Sequence, residues 1–262
     1  MADRLSVTSG IPPLTRSYVA GLAPEYRVGP LLLFVVAALS LFALRTPVEN
    51  LLGTGAISAR TTGERRIARL AAVCFAVPSV ACIGALMWKG RYPGLLLFGA
   101  GTACALFMQA VLKKLGRDTR MISQVVGAIG LTCTAPAAYY IGTERLDTRA
   151  FVLWIANWIF AGNQIHFVQL RIHAARATAF AEKFARGQLF LLAQPVLLGT
   201  LILASLWRFL PPLSIIAFVP AIVCGSLSFV QENKPLDVKS LGWSEMKNGV
   251  TFGVLLALAF VC

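Results

Sequence analysis

Residues 171–208 read RIHAARATAFAEKFARGQ and then LFLLAQPVLLGTLILASLWR. Arg171, Arg176, Lys183 and Arg186 all fall in the first part, whereas the run from Leu189 to Trp207 holds no charge. A helix needs roughly 20 mostly apolar residues to cross a hydrocarbon core about 30 Å thick, so 189–208 is long enough to span a bilayer. Backbone groups in lipid must be paired within the segment or in a closed barrel. The run shows no alternation of period two, which leaves the helix.

Working outward, seven more stretches of this kind lie at 28–44, 68–88, 93–112, 122–141, 148–170, 211–231 and 249–262, the first and last being the shortest. The expected fold is therefore all-α, a polytopic transmembrane helical bundle of about eight spans. Residues 1–27 form a polar N-terminal tail, and residues 28–262 a single transmembrane domain. Hydrophobic residues make up 57% of the chain, and the mean hydropathy is +0.73. Ordinary soluble domains are only about 45–50% apolar, so the composition excludes that class.

The 24 lysines and arginines sit almost entirely between the apolar stretches, and unevenly. Sixteen fall in the connections at 45–67, 113–121, 171–188 and 232–248 and their borders, against five in the intervening ones. This is the positive-inside bias. It predicts a multi-pass protein of the cytoplasmic (inner) membrane, with those four loops in the cytoplasm and both termini outside. Arg4, Arg16 and Arg27 pull the other way before the first span, but Arg45, Arg60, Arg65, Arg66 and Arg69 outweigh them. The first 27 residues are too polar, and too broken by Pro12, Pro13 and Pro24, for a span. No secretory signal is expected, because the first long apolar run begins only after residue 27.

A net charge of +13 would suggest nucleic acid in a soluble domain. Here the excess lies in loops that flank the membrane. Attraction to anionic headgroups is worth about 1 kcal/mol per cation there. Membrane lipids are the expected partners, and nucleic acid is not.

Motifs for familiar chemistry are missing. The sequence has no Gly-rich P-loop, no HExxH and no GxSxG. Its six cysteines, Cys74, Cys82, Cys104, Cys133, Cys224 and Cys262, make no CxxC or Cys/His zinc spacing and read as packing residues. No span has Asp or Glu near its middle, Glu49 standing just past the end of the first. Proton-driven cation transport usually needs such carboxylates, so it is not expected.

The spans carry the marks of a packed bundle. Pro78, Pro136, Pro195 and Pro220 lie inside them, where neighbouring groups must satisfy the freed carbonyls. Gly94, Gly99, Gly101, Gly127 and Gly130 would let backbones approach, as would the GxxxG of Gly249 and Gly253. The fifth span is the most polar. Asn163, His166, Gln169 and His173 recur at helical spacing and form one stripe. That stripe either lines a pocket open to the cytoplasm or bonds to neighbouring helices. Gln109, Gln124 and Gln194 read as interhelical glue. The polar, mixed-charge segment 234–245 reads as a solvated cover or, as a functional element, as a lid over the cytoplasmic mouth, with Trp243 as an interfacial anchor.

Four segments also resemble the YwiC-like family of bacterial membrane proteins. They are FALRTPVENLLGTG at 42–55 with the basic run to Arg69, IGLTCTAPAAYY at 129–140, FVQLRIHAAR at 167–176, and KPLDVKSLGWSEM at 234–246. The likeness covers about 30–262. Members usually start with one more helix, introduced by a short His-Gly motif, which this sequence does not show. The family brings no activity with it.

Its layout is in turn similar to the UbiA superfamily of intramembrane prenyltransferases. These are bundles of nine helices in which two Asp-rich loops hold Mg²⁺ and a prenyl diphosphate at the cytoplasmic face. The resemblance implies a UbiA-like bundle lacking the first helix, with loops 45–67 and 171–188 in the equivalent places. Neither loop contains Asp, and the first offers only Glu49, Asn50 and Glu64, the second only Glu182. Both are rich in arginine, whose guanidinium forks bind phosphate oxygens directly. The candidate ligand-binding residues are Glu49, Asn50, Arg60, Arg65, Arg66, Asn163, His166, Arg171 and Arg176. They would take an isoprenoid or lipid phosphate, with no cofactor, or with Mg²⁺ only where UbiA-like chemistry is retained. Any enzyme activity would be that of a prenyltransferase-like transferase. A noncatalytic assembly partner of another membrane protein and a transporter of a small organic anion or lipid stay open as alternatives.

Overall fold

The computed structural model describes residues 28–53, 61–90, 92–115, 119–174, 180–230 and 238–261. Nine helices run through them: α1 (Val28–Leu51), α2 (Thr62–Gly90), α3 (Gly94–Lys114), α4 (Arg120–Thr132), α5 (Thr134–Thr143), α6 (Thr148–Ala174), α7 (Phe180–Leu206), α8 (Leu213–Val230) and α9 (Val238–Val261). No strand occurs among the described residues. The polytopic helical bundle expected from the sequence is the fold.

Among the described residues six spans are long and apolar enough to cross a membrane: Val28–Leu51, Thr62–Trp88, Gly94–Lys114, Met121–Thr143, Thr148–Ile172 and Ala181–Leu206. The apolar part of α8, Leu213–Ser228, is shorter. In α9 a polar first half, 238–248, leads into an apolar second half, 249–261. We read only that second half as the membrane-spanning part.

Several helices start well before their apolar runs. The sequence reading began the second span at 68, the sixth at 189 and the last at 249, whereas α2, α7 and α9 begin at 62, 180 and 238. Apolar composition marks the hydrocarbon, and a helix can continue past it into the headgroup region. The start of α2 has its own cause. Thr61 Oγ1 accepts from the Glu64 N–H at 3.2 Å, and Glu64 Oε2 accepts from the Thr61 N–H at 3.0 Å, a reciprocal capping box. Before it, α1 stops at Leu51, and two residues on Gly53 has a φ of +69°, which suits glycine and cannot continue the helix.

The fourth span is two helices with a turn at Cys133. Pro136 has no N–H to give the carbonyl of Thr132, four residues back, and its ring crowds that carbonyl. Side chains cover the backbone acceptors around the break: Thr132 Oγ1 donates to the Ala128 carbonyl (2.8 Å), Cys133 Sγ to Ile129 (3.3 Å) and Thr134 Oγ1 to Leu131 (2.8 Å).

Helix α6 occupies the centre, touching α4, α5, α7 and α8, while α1 pairs with α2, α3 with α4, and α8 with α9. Two indoles tie α6 to α4, Trp154 Nε1 donating to the Ile129 carbonyl (3.2 Å) and Trp158 Nε1 to that of Val125 (3.3 Å). Where α6, α8 and α9 meet, Phe160 and Phe252 stack with centroids 3.8 Å apart, and Phe218 stands edge-on to Phe252 at 5.0 Å. Gly127 and Gly130 seat α4 against α3. A Cβ on Gly130 would lie 3.2 Å from the Thr102 carbonyl oxygen, and one on Gly127 about 2.4 Å from the Gln109 amide. The GxxxG of Gly249 and Gly253 brings no neighbour within 4 Å among the described residues. The inward face of α9 belongs instead to Phe252, Leu256 and Ala259.

Candidate functional site

The end of the bundle where α1 stops and α4 begins gathers charge and amides; we call it the basic end. Glu49 Oε1 accepts from Arg45 Nε and from Lys113 Nζ, both at 2.8 Å, which ties α1 to α3. Gln169 Nε2 donates to Gln124 Oε1 (2.9 Å), joining α6 to α4, and Arg171 Nη1 donates to the Ser228 carbonyl on α8 (2.9 Å). Among these helices opens a cleft of about 440 Å³. Its polar lining is Arg45 from α1, Gln109 from α3, Gln124 and Thr132 from α4, Gln164 and Gln169 from α6, and Glu245 from α9. Ala128, Leu131, Ala161, Ile165 and Val168 form its apolar wall.

The face of α6 turned to this cleft carries 161, 164, 165, 168 and 169, a spacing of three and four. Asn163 and His166 lie on the neighbouring face and meet α7. Asn163 and Gln194 exchange amide hydrogen bonds (2.9 and 3.4 Å), and His166 stands edge-on to Phe190 with centroids 5.5 Å apart. The polar stripe thus divides: Gln169 borders the cleft, whereas Asn163 bonds to Gln194 on α7 and His166 packs on Phe190. Gln109 and Gln124, read as glue, border the cleft, Gln124 being glue as well through its bond with Gln169, and Gln194 is glue.

The other candidate residues fall as follows. Glu49 reaches the cleft through Arg45, which it holds in place. Asn50 closes α1, its carbonyl accepting from the Gly53 N–H at 3.4 Å. Arg65 and Arg66 are exposed on the first turn of α2, and Arg171 is engaged with α8. Arg60 and Arg176 lie outside the described residues, as does the side chain of His173.

Glu245 is the residue that sequence reasoning missed. From 238 onward the segment 234–245 is helix and not loop: residues 239, 240 and 242–244 are exposed, as a solvated cover requires, but α9 turns Glu245 inward; 234–237 lie outside the described residues. Leu241, Glu245, Phe252, Leu256 and Ala259 share one helical face, and that spacing was the available signal. Both Glu245 carboxylate oxygens are buried without a hydrogen-bond partner, and so is Gln164 Nε2 in the same cleft. Burial pushes the Glu245 carboxyl up from 4.5 to about 7.

That shift has a defined sign. Since the folded state prefers the neutral acid, its stabilising effect is complete below the unfolded value of 4.5 and is lost as pH rises through about 7. The purified protein is expected to show a midpoint of thermal unfolding that falls between pH 5 and pH 8, and Glu245→Gln to remove that slope. An equal slope in the variant refutes the assignment.

A UbiA-like layout implies Mg²⁺, which wants several hard oxygen ligands. The described carboxylates at this end do not fit it. Glu49 is clasped by two cations, Glu64 caps α2, Glu182 pairs with Arg186, and Glu245 has no second carboxylate beside it in the cleft among the described residues. Among the described residues no three His, Cys, Asp or Glu side chains gather as a metal would require.

The cleft draws on α1, α3 and α4 as well as on α6 and α9. Residues 13–139 match the family described as YwiC-like protein. The match runs through α1–α4 into α5, so the YwiC-like part supplies Arg45, Glu49, Gln109, Lys113 and Gln124, while Gln164, Gln169 and Glu245 come from the part beyond it. Comparison with curated proteins and with solved structures finds no significant match.

Proposed function

We propose that the chain is YwiC-like throughout, that it sits in the bacterial cytoplasmic membrane with its basic end inward, and that its cleft binds the phosphate group of an isoprenoid or other lipid. In this reading the bundle is UbiA-like in layout, and a guanidinium with glutamine amides takes the place of Asp-bound Mg²⁺. The observation that carries it is Arg45. Glu49 fixes its Nε at the cleft edge, and because Lys113 shares that carboxylate, the three groups together keep one net positive charge. Guanidinium binds phosphoryl oxygens in a planar fork. The apolar wall from Ala128 to Val168 offers a path for a hydrocarbon chain.

The test is binding of a prenyl diphosphate to detergent-purified protein, measured calorimetrically with and without Mg²⁺. Binding is expected without the metal, and Arg45→Ala is expected to weaken it by about tenfold, the loss of one charge-assisted hydrogen-bonded contact. Absence of binding, or indifference to Arg45→Ala, overturns the reading. Arg65→Ala and Arg171→Ala in the same assay tell whether those flanking arginines also reach the phosphate.

A further inference from the structure

Every other carboxylate in the described residues has an interaction. Glu49 has Arg45 and Lys113, Glu64 the Thr61 N–H, Asp147 the Tyr139 hydroxyl and the Ala150 N–H, and Glu182 has Arg186; Glu144 is engaged as well. Glu245 alone has both oxygens buried and unbonded, and it does so in a cleft. An ionised carboxylate is an acceptor only, and burying it without a donor is costly. Among the described residues the one cationic side chain that shares the lining is Arg45, whose Nε is committed to Glu49. Gln164 Nε2 supplies the complementary vacancy, a buried donor without an acceptor.

The geometry points to a zwitterionic headgroup of the phosphoethanolamine class as the ligand of this cleft, its primary ammonium on Glu245 and its phosphate on Arg45 and the glutamine amides. The inference rests on the phosphate-binding reading above and narrows it. An ammonium brings three N–H donors to the carboxylate. A choline headgroup carries a similar charge and has no N–H to give. A glycerol headgroup has hydroxyl donors and no charge to offset the carboxylate. Gln164 is then placed to donate to a phosphoryl or ester oxygen, and Leu131, Ile165 and Val168 to meet the first methylenes of the acyl chains.

Native mass spectrometry of the delipidated full chain tests this, with phosphatidylethanolamine, phosphatidylcholine and phosphatidylglycerol of matched acyl chains as probes. Phosphatidylethanolamine is expected to bind about tenfold more tightly than either of the others. Glu245→Gln, uncharged and of the same shape, is expected to bring it down to the level of phosphatidylglycerol. Glu245→Asp, which keeps the charge, is expected to retain a preference over choline. Size-exclusion profiles confirm that both variants fold. Competition by soluble O-phosphoethanolamine assigns the free headgroup as sufficient, and lack of competition assigns the intact lipid. Equal binding of the ethanolamine and choline lipids overturns the inference, as does a preference that survives Glu245→Gln. Failure of the underlying phosphate reading looks different, since then no phospholipid binds in an Arg45-dependent way.

Discussion

Phe252→Ala is expected to destabilise the bundle by about 2–3 kcal/mol, the larger part of what Phe→Ala costs in a water-soluble core. Phe252 is 3% exposed, stacks on Phe160 at 3.8 Å and meets the edge of Phe218 at 5.0 Å. In a soluble core about 3–5 kcal/mol is lost, as transfer energy plus a cavity term. In lipid the transfer term shrinks, because the unpacked ring meets acyl chains and not water. What remains is the cavity and the loss of two aromatic contacts, each worth about 0.5–1.5 kcal/mol. Unfolding by SDS in mixed micelles, followed by circular dichroism, measures it. A change below about 0.5 kcal/mol would show that this contact does not hold α9 in place.

Gly130→Leu is expected to cost about 1–3 kcal/mol by overpacking, and to loosen the cleft as well. A Cβ at this position already lies 3.2 Å from the Thr102 carbonyl oxygen and 3.3 Å from the Ala105 Cβ, and a backbone atom cannot swing aside as a side-chain tip can. The rest of a leucine would push α4 off α3. It would also break the bond from Thr102 Oγ1 to the Gly130 carbonyl, now 3.1 Å. Because Gln109 and Gln124 face the cleft from these two helices, ligand affinity should fall with stability. Gly99→Leu is the control, since nothing lies within 4 Å of a Cβ there among the described residues. Similar losses from the two variants would rule out close α3–α4 packing as the cause.

Much of the architecture was legible because the bilayer imposes it. Uncharged runs such as Leu189–Trp207 have one solution, and the uneven cations set which helix ends lie together. Gly127 and Gly130 were readable as points of close approach for the same reason. Helix starts were not legible: Phe180 and Val238 begin helices inside polar sequence, where neither apolar content nor period separates helix from loop. The site was half legible. Polar residues on α6 identified the right helix, yet both 163/166 and 164/168/169 are plausible faces, and only the positions of α4 and α7 decide between them. Glu245 was hidden by its company. Flanked by Ser244, Met246 and Lys247, it looks like part of a surface segment until the start of α9 at Val238 puts it in line with Phe252 and Leu256.

Among the described residues the pairing of α1 with α2 is the most extensive between any two helices, while α1 meets the remainder through α5 and the Glu49–Lys113 ion pair. A nascent chain delivers α1 and α2 to the bilayer before any of their later partners has been made. Such a hairpin buries its own seam, and Arg45 neutralises Glu49 within a single helical turn. It can therefore wait in lipid as a finished piece. Lys113 then serves as the latch that fastens this early pair to α3, and the cleft is complete only once α4, α6 and α9 bring Gln124, Gln164, Gln169 and Glu245 to it.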